Sequence, residues 1–383
     1  MTAEPTNLAI GMIGTKFMGR AHANAWSQVT RFFDPALTPV MHTVAGRDAA
    51  ATTDFAARWG WQHATTDVTA LITDPAIELV DICTPNHVHA EAAIGALEAR
   101  KHVACEKPLA HTLTDAAAMT AAAHRAAAHG VRTFVWFSYR RVPAIALARA
   151  LVRQGRLGAI RHVRAIYLQQ WGIGADDVWR FDATVAGSGA LGDIAAHIVD
   201  AVQFVTGEKV QRIAGSLMRT YVPSHSVDDA VLFLGELDGG ATASFEATRF
   251  ATGHHNAHGF EIHGEHGALR FRFDQMGRLD VYDATTERAV RGWTTIEVCD
   301  GEAGHPWVGA WWPPGHPIGY EHTFTHQAAD ILEALAGRPD AALVAPMPDF
   351  AAALQVQTVL EAAATSADRR AAVEVAEIAA TVS

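Results

Sequence analysis

A chain of 383 residues is too long for one ordinary hydrophobic core and reads as two domains. It is 49% apolar and 19% charged, with no long apolar run to span a bilayer and no basic-then-apolar leader in its first residues, as expected of a soluble cytoplasmic protein. A net charge of −11 argues against nucleic acid as a partner, and three cysteines without CxxC spacing (Cys83, Cys105, Cys299) argue against a disulfide scaffold.

Residues 8–13 form a short apolar run, a buried strand by length. Gly14-Thr15-Lys16-Phe17-Met18-Gly19 follows, and then a helical pattern through Trp26. Strand, Gly-rich turn and helix are the setting of a dinucleotide fingerprint, whose helix N-terminus faces the pyrophosphate. The middle Gly of that fingerprint, which lets backbone approach phosphate, is here Lys16. A second strand, 40–45, ends in Gly46-Arg47-Asp48. An acid at that strand end serves the ribose hydroxyls of NAD, whereas an Arg favours the extra phosphate of NADP. With Gly in the acid's place and both an Arg and an Asp after it, these residues leave the two cofactors open.

The alternation continues with a helix over 48–59 and a strand over 77–83, followed by Thr84-Pro85-Asn86-His87-Val88-His89. A helix to Arg100, a strand over 102–105, Glu106-Lys107-Pro108, a helix over 113–129 and a strand over 131–137 complete a first domain, 1–138. Strands alternating with helices predict a parallel, doubly wound sheet, whose ligands bind beyond the carboxyl ends of the strands. Thr84, Asn86, Glu106, Lys107 and Ser138 all fall at such ends.

In the second domain, 139–383, a helix over 143–156 and a strand over 160–171 lead to a flexible turn over 187–192. That turn delivers a helix in which Asp193 and His197 stand four residues apart, on one face, with Asp200 continuing it. A carboxylate and an imidazole so placed hold a hydroxyl and take its proton; a plain helix-surface pair is the bland alternative. Strands with Gly turns predominate over 209–282, then come helices over 321–336 and 349–365, a last strand and a short helix. Among 21 His residues, His254, His255, His258, His263 and His266 cluster, and His322, His326 and Asp330 share helical spacing. Without a further ligand motif these read as surface or pocket groups rather than a metal site. Trp307, Trp311 and Trp312 read equally as a sugar-stacking surface or a buried loop. Arg249, His255 and Asn256 are polar candidates near a strand end.

Together GTKFMGRAHA, TPNHVH, EKPLAHT and GDIAAHIVD resemble the Gfo/Idh/MocA oxidoreductases, and FSYRRVPA, WRFD and WWPPGHPIGYEHTF extend the likeness over nearly the whole chain. The resemblance implies an N-terminal Rossmann domain and an α+β C-terminal domain built on a large, mostly antiparallel open sheet whose free face makes homodimers or homotetramers. It implies oxidation of a sugar or polyol with NAD or NADP, NAD being favoured for a catabolic oxidation, and needs no metal. Lys107, Asp193 and His197 match the catalytic positions, with a cis bond expected before Pro108. Gly14, Thr15, Lys16, Phe17, Met18, Gly46, Arg47, Thr84, Pro85, Asn86, His89, Glu106, Lys107, Trp179 and Arg180 match cofactor contacts, while Ser138 stands where the family often has Asn. Substrate contacts are expected from Lys107, Arg180, Asp193, His197, Asn256 and His322. In the implied mechanism the substrate hydroxyl lies between Lys107 and His197, nicotinamide takes the hydride, His197 or the Lys107–His197 network takes the proton, and Asp193 orients the imidazole. The expected substrate is a glucoside or anhydrosugar oxidised at a ring hydroxyl, on the third carbon. The rival readings are a glycosidase that oxidises transiently, eliminates, adds water and reduces again, and a non-catalytic sugar-binding module.

Overall fold

The computed structural model describes residues 6–175, 178–339 and 343–382. They divide into two compact units: the chain up to Arg141 with Gly319–Leu354, and Val142–Ile318 with the residues from Gln355 on.

The first unit runs β1 (Thr6–Ile13), α1 (Phe17–Phe32), β2 (Leu37–Ala45), α2 (Ala49–Trp59), β3 (His63–Thr65), α3 (Val68–Thr73), β4 (Leu79–Ile82), α4 (His89–Glu98), β5 (His102–Cys105), α5 (Leu113–Ala127) and β6 (Thr133–Val135). The strands form one parallel sheet in the order β3-β2-β1-β4-β5-β6. Every residue of β4 is buried, as suits a strand covered on both faces. Side chains cap the helices: Asp48 accepts from the Ala51 N–H at 2.8 Å, Asp67 from Ala70 at 2.9 Å and Thr112 from Asp115 at 3.1 Å. Register matters most for function. Ile13 pairs with Ala45 and Ile82, Ile82 with Cys105, and Cys105 with Val135. The carboxyl ends of five strands are therefore level, and Gly14, Gly46, Cys83, Glu106 and Trp136 leave the sheet along one edge. The strand order reverses between β1 and β4, the switch point at which such sheets bind ligands.

The second unit contains α6 (Pro143–Arg153), β7 (Ile160–Leu168), α7 (Ala183–Ala186), α8 (Ala196–Thr206), β8 (Val210–Arg219), β9 (Ala230–Leu237), β10 (Thr242–Thr248), β11 (Ala257–Gly264), β12 (Gly267–Arg272), β13 (Arg278–Asp283) and β14 (Trp293–Glu297). After α9 (Tyr320–Leu335), which belongs to the first unit, come α10 (Phe350–Arg369), β15 (Val373–Glu374) and α11 (Val375–Ala379). The nine strands order as β14-β13-β12-β11-β7-β10-β9-β8-β15, antiparallel except where β10 runs parallel to β7. Burial alternates along β7 and β10, as in a sheet with one covered and one open face. Every residue of α8 is buried.

The structure departs from the sequence reading in four places. α9 packs with α1, adding Phe324, Ile331 and Leu332 to the core around Trp26 and Val29, whereas a division after residue 138 places it in the second domain. β3, α3 and β14 lack the length or periodicity to announce themselves. The segment Ala183–Thr206 is long and apolar enough to cross a membrane, but it is mostly buried within the protein. The turn over 187–192, expected to be flexible, is closely packed at Gly189: a Cβ there would lie 1.7 Å from the Asp228 carbonyl oxygen, and Asp228 accepts the N–H groups of Gly189 and Leu191.

Candidate active site

On the first unit the turn after β1 is shaped for close approach. Gly14 has φ +114°, and a Cβ there would meet the Cys83 carbonyl oxygen at 2.7 Å. A Cβ at Gly19 would lie 2.2 Å from the Gly14 oxygen, which presses α1 onto the strand. Lys16, the departure from the fingerprint, is exposed at the N-cap of α1 and makes no side-chain cap. No acidic residue lies in the first turn of this 16-residue helix, so its N-terminal N–H groups suit an anion. A Cβ at Gly46 would lie 2.3 Å from Thr52 Oγ1, so a larger residue there would have to displace that hydroxyl. Asp48 is committed to capping α2, and Arg47 is exposed. These glycines and the uncapped helix fit a dinucleotide.

The next two turns flank one imidazole. His89 is fully buried; one ring nitrogen lies 3.0 Å from the Thr84 carbonyl and the other 3.1 Å from Pro108 and 3.2 Å from Leu109. Burial holds its pKa below the usual imidazole range, against the pull of those carbonyls and Glu106. This corrects the expectation of a cofactor contact: the buried ring lies between the Thr84 carbonyl on one side and those of Pro108 and Leu109 on the other, and its single N–H donates to one of the two sides. Glu106 is buried and accepts the Lys107 N–H at 3.1 Å, and the Lys107–Pro108 peptide is cis. Lys107 itself is half-buried.

On the second unit Asp193 lies in a widened π-helical turn, Leu191–Ala195, and His197 in α8, which continues it. The sequence reading expects a regular helix here. Two anchors go with the widening, a local form frequent at functional sites. Asp228 accepts the N–H groups of Gly189 and Leu191 at 2.7 Å each, and burial pushes its carboxyl up against these donors. Arg249, wholly buried, donates to Asp193 Oδ2 at 3.0 Å and to the carbonyls of Gly189 and Arg180 at 3.1 Å each. Arg180 Nε lies 3.7 Å from the same Asp193 oxygen, and its guanidinium sits 4.5 Å from the Trp179 ring centre. Arg249 also lies 4.9 Å over Trp171, which stacks on Phe181. The Tyr167 ring flanks His197 at 5.7 Å. The carboxylate is thus held in place, with an imidazole one turn on.

Asn256 joins this site through a relay. Its Oδ1 accepts from Gln169 Nε2 at 2.7 Å, and Gln169 Oε1 accepts from the Trp171 indole at 2.8 Å. It also lines a groove of about 470 Å³ with Arg164, Glu261 and Arg270. His322, expected at the substrate, stands at the start of α9, its Nδ1 accepting the Gly319 N–H at 2.9 Å. His326 and Asp330 both serve Arg141, the imidazole donating to its carbonyl at 2.9 Å and the carboxylate accepting from its Nε at 3.1 Å. The late His residues disperse: His258 is buried, whereas His254 and His255 are exposed. Trp311 is buried and Trp312 exposed. Sequence reasoning noticed Arg249 without a role and missed Asp228, since nothing local marks residues that act from strand ends some 35 to 56 positions away.

The oxidoreductase family with an NAD-binding Rossmann fold matches residues 8–135, and the GFO/IDH/MocA C-terminal domain matches residues 145–270. A levoglucosan dehydrogenase of Pseudarthrobacter phenanthrenivorans is 36% identical over 98% of this chain and 100% of its own length. The chain belongs to the Gfo/Idh/MocA oxidoreductases. The crystal structure of an oxidoreductase domain protein from Kribbella flavida superposes with a TM-score of 0.92 at 49% identity, covering 97% of this chain and 99% of that one. A levoglucosan dehydrogenase in complex with NADH and levoglucosan superposes with a TM-score of 0.90 at 36% identity, covering 96% and 99%. The family membership, the NAD-binding first unit and the antiparallel second unit agree with the sequence reading.

Proposed function

We propose that this oxidoreductase converts a ring hydroxyl of an anhydrosugar or glucoside to a ketone, with NAD as the hydride acceptor. The observation that carries the reading is the end-to-end likeness to a dehydrogenase seen with NADH and levoglucosan. Gly14, Thr15, Lys16, Phe17 and Met18 hold the pyrophosphate end of the dinucleotide, Gly46 and Arg47 its ribose, and Thr84, Pro85, Asn86, Glu106 and Lys107 the nicotinamide end. The bound nicotinamide supplies an acceptor for the hydride. Lys107 holds the reacting hydroxyl, and His197 takes its proton. Asp193, held by Arg249, orients the imidazole or a neighbouring hydroxyl; Arg180 and Asn256 complete the substrate contacts. Trp179 packs under Arg180, which supports a place for this pair beside the reacting groups.

Cytoplasmic location and a homodimer or homotetramer belong to the same proposal. Cys83, Cys105 and Cys299 are all free thiols, and Leu217, Leu232 and Leu234 are exposed on β8 and β9. The test incubates the protein with NAD, levoglucosan and aryl glucosides, following reduced nicotinamide and free phenol together. Reduced cofactor accumulating without phenol is the expected result. Phenol without net reduction would replace this reading with the redox-neutral glycosidase.

A further inference from the structure

Behind the turn that carries Lys107 lies a buried polar cluster with no place in the dinucleotide fingerprint. His22, in α1, is wholly buried. Its Nδ1 lies 3.1 Å from each oxygen of Asp81, on β4, and its Nε2 lies 3.0 Å from Glu106 Oε1. The indoles of Trp26 and Trp136 donate to Asp81 Oδ2 at 2.8 Å and Oδ1 at 2.9 Å. Both Asp81 oxygens are thus engaged by indole donors as well as by His22. Cys83 Sγ lies 3.0 Å from Nδ1, and burial pushes this thiol up to about 12, so it stays neutral. The imidazole packs against Trp136, with ring centres 4.1 Å apart.

Burial alone would push the His22 pKa down, but the Asp81 carboxylate beside it outweighs burial and holds the ring well above the usual range. Both ring nitrogens then donate, Nδ1 to Asp81 and Nε2 to Glu106. The other oxygen of Glu106 accepts the Lys107 N–H at 3.1 Å. His22, Asp81 and Cys83 also approach within the spacing of metal ligands, but both Asp81 oxygens already take indole donors, and the far ring nitrogen faces a second carboxylate. The arrangement is a hydrogen-bond relay that runs from the sheet interior to the backbone of Lys107.

We propose that His22 is a positioning residue for the reaction: by bridging Asp81 and Glu106 it fixes the carboxylate that holds the Lys107 backbone, and so sets where Lys107 stands at the end of β5. The inference rests on the proposed dehydrogenase reading for the role of Lys107. The geometry behind it belongs to the first unit alone.

Two amides separate the halves of the ring. In His22→Asn the side-chain nitrogen replaces Nδ1 and keeps the Asp81 contact; in His22→Gln it replaces Nε2 and keeps the Glu106 contact. Both lose the ring packing on Trp136, so both lower the melting temperature alike. NADH affinity, read from the fluorescence of the bound reduced nicotinamide, then separates the roles. The Asn variant binds NADH roughly tenfold more weakly, as loss of one charge-assisted contact predicts, and its kcat falls further, while the Gln variant stays within about threefold on both. Glu106→Gln behaves like His22→Asn, and the double variant is no worse than the poorer single, since two residues acting through one contact do not add. Equal loss in the Asn and Gln variants, tracking stability, overturns the proposal, as do additive losses in the double variant. Should His22→Asn not fold, a Gln variant with near-wild-type NADH affinity supports it, and a Gln variant with NADH affinity lowered tenfold or more overturns it. NADH affinity needs no sugar, so a wild-type protein that binds NADH but oxidises none of the sugars refutes the dehydrogenase reading, while the affinities of the Asn and Gln variants still decide whether His22 positions the Lys107 turn.

Discussion

Arg249→Met tests the account of the second unit most directly. The guanidinium is wholly buried and serves three acceptors, Asp193 Oδ2 at 3.0 Å and the carbonyls of Gly189 and Arg180 at 3.1 Å. Met keeps most of the length and packing over Trp171 but none of the donors. The bond to the carboxylate is worth about 1.5–3 kcal/mol and each carbonyl bond about 1 kcal/mol. Breaking a buried pair from one side costs roughly 3–5 kcal/mol, so about 4 kcal/mol is expected. For a domain of this size that is roughly a 10 °C fall in the melting transition of the second unit. Asp193 also loses the contact that fixes it, and a misplacement of about 1 Å in a catalytic group costs on the order of a hundredfold in turnover. Thermal melting and steady-state formation of reduced nicotinamide measure both. Arg249→Lys keeps a charge but cannot reproduce the planar fork, and falls between the two. A Met variant that melts within about 2 °C of wild type and turns over within threefold would refute the role assigned to Arg249.

Three further outcomes follow from the same geometry. His197→Ala lowers kcat by about 10²–10⁴-fold, the contribution of a placed general base, while NADH affinity stays within twofold by fluorescence titration. In Gly19→Ala the new Cβ would meet the Gly14 oxygen at 2.2 Å, so the turn after β1 must open; a loss of about 1–3 kcal/mol in denaturant unfolding and weaker NADH binding are expected. Burial pushes His258 down to about 3 from its ordinary 6.5, so the unfolded chain binds a proton the fold refuses. Its contribution to stability is complete above pH 6.5 and falls as the pH drops toward 3. The slope is about 1.4 kcal/mol per pH unit. His258→Phe, in a pocket walled by Tyr167, Phe271 and Phe273, flattens that slope in melting curves taken between pH 4 and 7; an unchanged slope would place the acid sensitivity elsewhere.

Much of the candidate site is legible in the sequence because its signals are local. The glycines at 14 and 19, the Glu106-Lys107-Pro108 turn and the Asp193/His197 spacing each sit within one strand end or helix start. His89 misled for the converse reason. A His beside a cofactor turn looks like a contact in one dimension, yet the His89 ring is buried and faces three carbonyls. The turn over 187–192 misled through composition: three glycines suggest mobility, but the Asp228 backbone packs so closely on Gly189 that the residue marks confinement.

By itself the sequence determined the alternation of the first unit, the strand-rich second unit and the chemical identities of Lys107, Asp193 and His197. Periodicity, turn chemistry and motif spacing act over a few residues, and the chain states them directly. Only the tertiary structure decided which distant groups control those side chains. It set α9 against α1, brought Arg249 and Asp228 to the π turn at Asp193, and closed His22 between Asp81 and Glu106. Those contacts join residues tens of positions apart, and their strength comes from burial, which exists only once the sheet has brought their ends level.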